Sequence, residues 1–239
     1  MTLYAIGDIH GHLDKLRAAH DLVEDDRARE GARDGALIHI GDLVDRGPDS
    51  AGVVTLLRDL SAQDERVVVL RGNHDQLMVD FITEPPETLR QSDTVRWIDG
   101  NIGGRETLQS YGIRAWRLGA MHSAALEKVP QEHVAFLSRL PRSHRAGSCL
   151  FVHAGIRPGI PLDAQDPQDL IWIRQDFLNS CDDHGPLIVH GHTPSRTVEH
   201  MGNRLGIDTG AGFGRSLSAV AIEDRAAFLL TDRGRIPIA

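Results

Sequence analysis

Six side chains of the kinds that bind divalent cations, Asp8, His10, Asp42, Asn73, His153 and His192, each stand just beyond a short apolar run. Carboxylate, imidazole and amide oxygen suit Mn²⁺, Fe²⁺, Zn²⁺ or Mg²⁺. The two cysteines, Cys149 and Cys181, form neither a disulfide framework nor a zinc-type pair, and read as small hydrophobes. Six donors exceed what one open catalytic ion takes. They match two ions roughly 3.5–4 Å apart that share one carboxylate and keep water in the remaining positions.

Such a set converges only if the elements before it end on one edge. Leu3–Ile6, Ala36–Ile40 and Val67–Leu70 read as buried strands, each running into a polar, glycine-bearing loop. Helical spacing follows the first strand at Leu13, Leu16, Ala19, Leu22 and Val23. It follows the second over roughly Ser50–Ala62. A second group of strands is expected at Leu150–Val152, Leu187–Val189, Leu205–Ile207, Leu217–Ile222 and Phe228–Leu230. Between the groups, about residues 76–148, Pro85-Pro86, Gly100–Gly104 and helical spacing around Val129–Leu140 predict a mostly helical insertion in one domain spanning 1–239. Alternating strands and helices mean a layered α/β fold, which presents ligands outside the carboxyl ends of its strands.

Composition narrows the function. The 239 residues carry 26 Lys plus Arg against 34 Asp plus Glu, a net charge of −8 that argues against a nucleic-acid partner or an anionic membrane surface. No apolar run reaches the length of a membrane span, and Met1 leads almost directly into a strand, so a cytoplasmic, monomeric protein is expected. There are 13 histidines, and histidine is both the commonest metal ligand and the usual acid or base near neutrality.

The blocks Gly7-Asp8-Ile9-His10-Gly11, Gly41-Asp42-Leu43-Val44-Asp45-Arg46-Gly47, Gly72-Asn73-His74-Asp75, His153-Ala154-Gly155 and Gly191-His192-Thr193 occur in this order. Together they resemble the five blocks of the calcineurin-like metallophosphoesterases. Within these they most resemble the PPP-type Ser/Thr protein phosphatases, in their short bacterial and bacteriophage lambda forms. The resemblance implies a four-layer metallophosphoesterase fold: two mixed β-sheets form a central sandwich flanked by helices, with a dinuclear metal site at strand carboxyl ends. It puts Asp8, His10 and Asp42 on one metal, and Asp42, Asn73, His153 and His192 on the other, with Mn²⁺ favoured. A metal-bridging water or hydroxide would attack phosphorus in line. His74 would protonate the leaving alkoxide while Asp45 orients the imidazole. Arg46 and Arg71, with Asn73 and a further arginine at Arg174, would bind the phosphate. The implied substrates are phosphomonoesters, foremost phosphoserine or phosphothreonine in proteins, or phosphorylated small molecules; the alternative is a bis(5′-nucleosyl)-tetraphosphate.

Two positions depart from the family pattern. Asp75 stands where the eukaryotic protein phosphatases usually have Glu, and Pro194 stands where many other metallophosphoesterases have a second His ligand. Both point toward a bacterial phosphomonoesterase. A scaffold that only retained metal would not need His74, Asp45, Arg46 and Arg71. Among the other histidines, His39 and His190 are expected inside the protein, and His20, His122, His133, His144, His184 and His200 on its surface. Trp97, Trp116 and Trp172 read as core anchors. Asn101 and Arg105, within a stretch Trp97–Gly112 like one in the bacterial phosphatases, are candidates for the cleft.

Overall fold

A computed structural model describes residues 1–85, 97–98 and 100–239. Pro86, residues 87–96 and residue 99 of the expected insertion lie outside the described residues. Six strands form one sheet in the order β11-β10-β9-β1-β2-β3: β1 Thr2–Ile6, β2 Leu37–His39, β3 Val67–Val69, β9 Ala219–Glu223, β10 Ala226–Thr231 and β11 Gly234–Ile238. Five form the other, β4-β5-β6-β8-β7: β4 Ser143–Ala146, β5 Cys149–Val152, β6 Leu187–His190, β7 Glu199–His200 and β8 Arg204–Gly206. Both sheets are mixed. The members that carry the polar loops run parallel, β1 with β2 and β2 with β3, and β5 with β6 and β6 with β8.

Side-chain alternation builds the layers. Leu3 and Ala5 of β1 and Ile38 of β2 face Phe151, Leu187, Val189 and Leu205 of the other sheet, making a dry interface. Tyr4 and Ile6 point the opposite way. They pack on α1 (Leu13–Glu30), α2 (Ser50–Gln63) and α3 (Asn73–Thr83) through Leu16, Val23, Val53, Leu57 and Phe81. The far face of the second sheet packs Val152 and Ile188 against Leu170, Ile171 and Phe177. Helices α4 (Gly104–Ser110), α5 (Leu118–Lys128) and α6 (Gln131–Arg139) extend the first helical layer. The result is the four-layer metallophosphoesterase arrangement.

Three strands had no expectation in the sequence. β4 is polar and only half covered, β7 is two residues long, and β11 is an edge strand with Pro237, a residue sheets accept at an edge. Four other expectations are corrected. Trp116 and Trp172 are exposed, at 84% and 41%, while Trp97 is buried. His122 and His133 are buried, because Phe81 covers the one and Tyr111 Oη meets Nδ1 of the other at 3.0 Å.

His39 is wholly buried and receives a hydrogen bond from His20, Nε2 to Nε2 at 2.8 Å. Burial, with His20 beside it, pushes its imidazole down to about 3. The folded protein therefore holds His39 neutral while the unfolded chain takes up a proton below about pH 6.5, so stability falls as pH falls through that value. At pH 5 the loss from this residue is about 2 kcal/mol. Urea unfolding at pH 7.5 and 5 checks it: His39→Leu should lose less stability between the two than the parent.

Candidate metal and phosphate site

Parallel strand ends set the site. Asp8 follows β1, Asp42 follows β2, Asn73 follows β3 as the first residue of α3, His153 follows β5 and His192 follows β6, all at one edge of the sandwich. The backbone there is unusual. Of six described non-glycine residues with positive φ, five are His10 (48°), Asp42 (50°), Asp45 (77°), Arg46 (67°) and His192 (65°). Left-handed conformations in such residues carry strain, and strain concentrates where a site over-determines its side chains. Close approach also requires the glycines: a Cβ on Gly72 would strike Asp42 Oδ1, and one on Gly191 would strike Asp8 Oδ1.

Two donor clusters result. His10, Asp42 and His74 bring one ligand atom each within 4.8 Å of one another, and so do Asp42, His153 and His192. Asp42 is common to both. The imidazoles are oriented from behind: His10 Nδ1 donates to the Val44 carbonyl at 3.0 Å and His153 Nδ1 to that of Ile40 at 2.9 Å. Each therefore presents its Nε2 lone pair inward, the usual arrangement around a metal. Nε2 of His153 stands 3.0 Å from Asn73 Oδ1 and 3.3 Å from Asp42 Oδ1. Asp8 accepts the His192 backbone N–H at 3.0 Å through Oδ2, while its Oδ1 and His192 Nε2 are buried with no hydrogen-bond partner. Orphaned buried acceptors are costly unless something binds them. The donor set fits divalent cations.

Electrostatics agrees with that fit. Burial and the neighbouring carboxylates of Asp208 and Asp42 push the Asp8 carboxyl well up. Burial opposes ionisation of Asp42 as well, but the imidazoles of His153, His74 and His10 overcome it and hold the carboxyl well below its ordinary range. Burial and the adjacent His153 push His192 down to about 2, with Arg174 close enough to add to the effect. Asp208, just past β8 and buried, is a site neighbour that sequence reasoning missed. Its signal was present: Gly206-Ile207-Asp208-Thr209-Gly210 repeats the pattern of an apolar run followed by Asp and Gly.

His74, a member of the first cluster, is also held by an acid of its own. Its Nδ1 donates to Asp45 Oδ2 at 2.6 Å, its Nε2 faces the site, and its backbone N–H is fixed on Asp42 Oδ1 at 3.0 Å. Burial alone would lower this imidazole, but Asp42 and Asp45 raise it above its ordinary value. Burial likewise works against the Asp45 carboxylate. On balance its carboxyl is pushed above its ordinary range, although His74, Thr107 Oγ1 (2.7 Å) and Trp97 Nε1 (2.9 and 2.8 Å) donate to it, favour the carboxylate and hold it in place. Trp97 is thus both core anchor and positioning group. In Trp97→Phe the carboxylate loses its indole donor inside the core. We expect a loss of about 1–3 kcal/mol in urea unfolding and a lower kcat with little change in KM.

The arginines differ. Arg46 donates to His10 Nε2 at 2.5 Å, has Nη2 3.2 Å from His74 Nε2, and lies 4.5 Å from the ring centroid of exposed Phe213. Arg71 is buried with Nη1 on Gln76 Oε1 (2.8 Å) and Nη2 on the Ser138 carbonyl; Nε is unpartnered. Arg174 is exposed, and exposed Trp172 lies 6.1 Å from the His192 ring. Asn101 is exposed, and Arg105 donates to the Ile98 carbonyl while lining a separate cavity with Trp116. Asp75 accepts from the backbone N–H of Leu43 and of Gly72, tying the second and third loops together.

A family model for calcineurin-like phosphoesterases matches residues 1–222. Serine/threonine-protein phosphatase 1 of Salmonella typhimurium is 30% identical over 236 residues, covering 92% of each chain. The symmetrical bis(5′-nucleosyl)-tetraphosphatase of Nitrosospira multiformis is 27% identical over 272 residues, covering 95% of each. Among solved structures, one provisionally assigned as a diadenosine tetraphosphatase superposes over the whole chain and 94% of its own, with TM-score 0.64 at 21% identity. That last likeness concerns the fold.

Proposed function

Since the chain belongs to the calcineurin-like phosphoesterase family and is a hydrolase, we propose that it cleaves phosphomonoesters, with phosphoserine and phosphothreonine of proteins as substrates. The observation that carries this reading is the pair of donor clusters sharing Asp42, one of which includes His74, held in turn by Asp45. Asp8, His10 and Asp42 would hold one divalent ion, and Asp42, Asn73, His153 and His192 a second, with Mn²⁺ the proposed metal. When bound, such ions supply Lewis-acid polarisation and a water acidic enough to act as nucleophile at neutral pH.

The protein's own groups account for the rest. Asp45 keeps His74 protonated on Nδ1 and turned so that Nε2–H can reach a leaving alkoxide, which makes His74 the general acid. Arg46 offers a guanidinium fork to two phosphate oxygens, held at the rim by Phe213. Asn73 and Arg174 complete the phosphate cradle. Arg71, tied to Gln76 and to the Ser138 carbonyl, keeps further N–H donors for a phosphate oxygen while bracing the loop that precedes Asn73.

A second reading is hydrolysis of bis(5′-nucleosyl)-tetraphosphates. It is supported by the relative from Nitrosospira multiformis and by Trp172 and Phe213, two exposed aromatics at the rim on which a base can stack. Phosphopeptides and diadenosine tetraphosphate, assayed side by side with added Mn²⁺ and with elemental analysis of the purified protein, separate the two. Faster turnover of phosphopeptides supports the first reading; turnover of the dinucleotide alone replaces it with the second.

A further inference from the structure

The outer face of the second sheet carries a cavity of about 620 Å³ between the loop after His192, the β7–β8 hairpin and the loop ending at Arg215. That volume lies within the range of small-molecule sites. No proposed metal ligand lines it. Arg196, Arg204 and Arg215 do, and none has a carboxylate within 4 Å among the described residues. Elsewhere in this chain Arg58, Arg66, Arg157 and Arg235 are each paired with an acid. The one acid in the cavity wall, Glu199, leaves three guanidiniums facing a single carboxylate in a protein of net charge −8.

Two details show a built site rather than loose surface charge. Arg215 is fastened: its Nη1 donates to the Ser195 carbonyl at 2.9 Å, and Lys15 Nζ donates to its backbone oxygen at 2.7 Å. At the cavity wall, His190 is 3% exposed and gives its Nδ1 proton to the Gly191 carbonyl at 3.2 Å, leaving Nε2 buried as an unpartnered acceptor. Guanidiniums that lack a carboxylate partner and line one cavity with an unfilled acceptor match an anion that also bears a hydroxyl or a water shell, although Arg204 and Arg215 each spend one N–H on a neutral oxygen of Asn203 or Ser195.

We propose that this cavity is an oligophosphate-binding site separate from the catalytic centre, holding a diphosphate group on Arg196, Arg204 and Arg215. The inference stands without the catalytic reading, because it uses none of its residues. Diphosphate can come from a free inorganic anion or from a nucleoside diphosphate, whose base would meet the apolar Met201 side of the cavity.

The test is calorimetric titration of the purified, metal-containing protein with imidodiphosphate, a diphosphate resistant to hydrolysis, and in parallel with α,β-methylene-ADP. A binding event should appear that R196Q/R204Q weakens at least tenfold and Arg46→Gln, at the catalytic centre, weakens less than twofold. Tighter binding of the nucleotide identifies a nucleoside diphosphate as the occupant; equal binding identifies the free anion. Isotherms of R196Q/R204Q that superimpose on those of the parent, or binding lost only in Arg46→Gln, overturn the proposal. Should the double variant fail to fold, R196Q alone serves: Arg196 is exposed and makes no hydrogen bond of its own among the described residues, and its loss should weaken binding at least threefold.

Discussion

Asp42→Asn is expected to lower phosphate-ester hydrolysis roughly a thousandfold or more, about 4 kcal/mol of transition-state stabilisation. Asp42 is the only residue common to the two donor clusters, with its carboxylate 3.5 Å from His10 Nε2 and 3.3 Å from His153 Nε2. The substitution removes a full negative charge from the point where two cations would be held together. Elemental analysis should therefore find fewer than two metal ions per chain in the variant. The fold should survive, because an asparagine Oδ1 can still accept the His74 backbone N–H and a neutral amide is cheaper to bury than a carboxylate. A variant retaining parental metal content and turnover would show that Asp42 is not the shared ligand.

The second large effect concerns proton delivery. His74→Asn should lose about 10²–10⁴ in kcat on alkyl phosphates while keeping its metal content, since general acid catalysis is worth about that much and none of the proposed ligands is altered. The informative comparison is the leaving group. With an aryl phosphate whose phenolate leaves without help, the same variant should lose far less. An equal loss on both substrates would indicate that His74 supports the centre structurally, through its place beside Asp42 and Arg46, and does not deliver a proton.

How much of this was legible beforehand varies with the kind of residue. Asp8, Asp42, Asn73, His153 and His192 were readable because each follows a buried strand, and a polar side chain with glycine at such an end has few structural reasons to be there. The layered fold was readable for the same reason, from short apolar runs alternating with helical spacing. Strands β4, β7 and β11 were not, since edge strands draw their stability from pairing rather than from apolar alternation. Tryptophans and histidines misled in both directions: Trp172 stands at the rim of the site, and His122 and His133 fill the helical layer. Burial of a single amphipathic side chain depends on which elements meet above it, and local sequence carries no record of that.

By itself, then, the sequence determined the chemistry available to this protein: hard oxygen and imidazole donors, one acid–imidazole pair and arginines, delivered in order at the ends of apolar strands. Only the tertiary structure decided which of them meet. Parallel pairing within both sheets brings five strand ends to one edge, backbone carbonyls of Val44 and Ile40 turn two imidazoles inward, and Trp97 and Thr107 reach across from distant sequence to hold Asp45. It also ties Arg71 to Gln76 and Ser138 while leaving Arg196, Arg204 and Arg215 without an acid partner around a cavity among the described residues. Residue type sets what a group can bind, whereas the partners left to it after packing, tens to hundreds of positions away along the chain, set what it is free to bind.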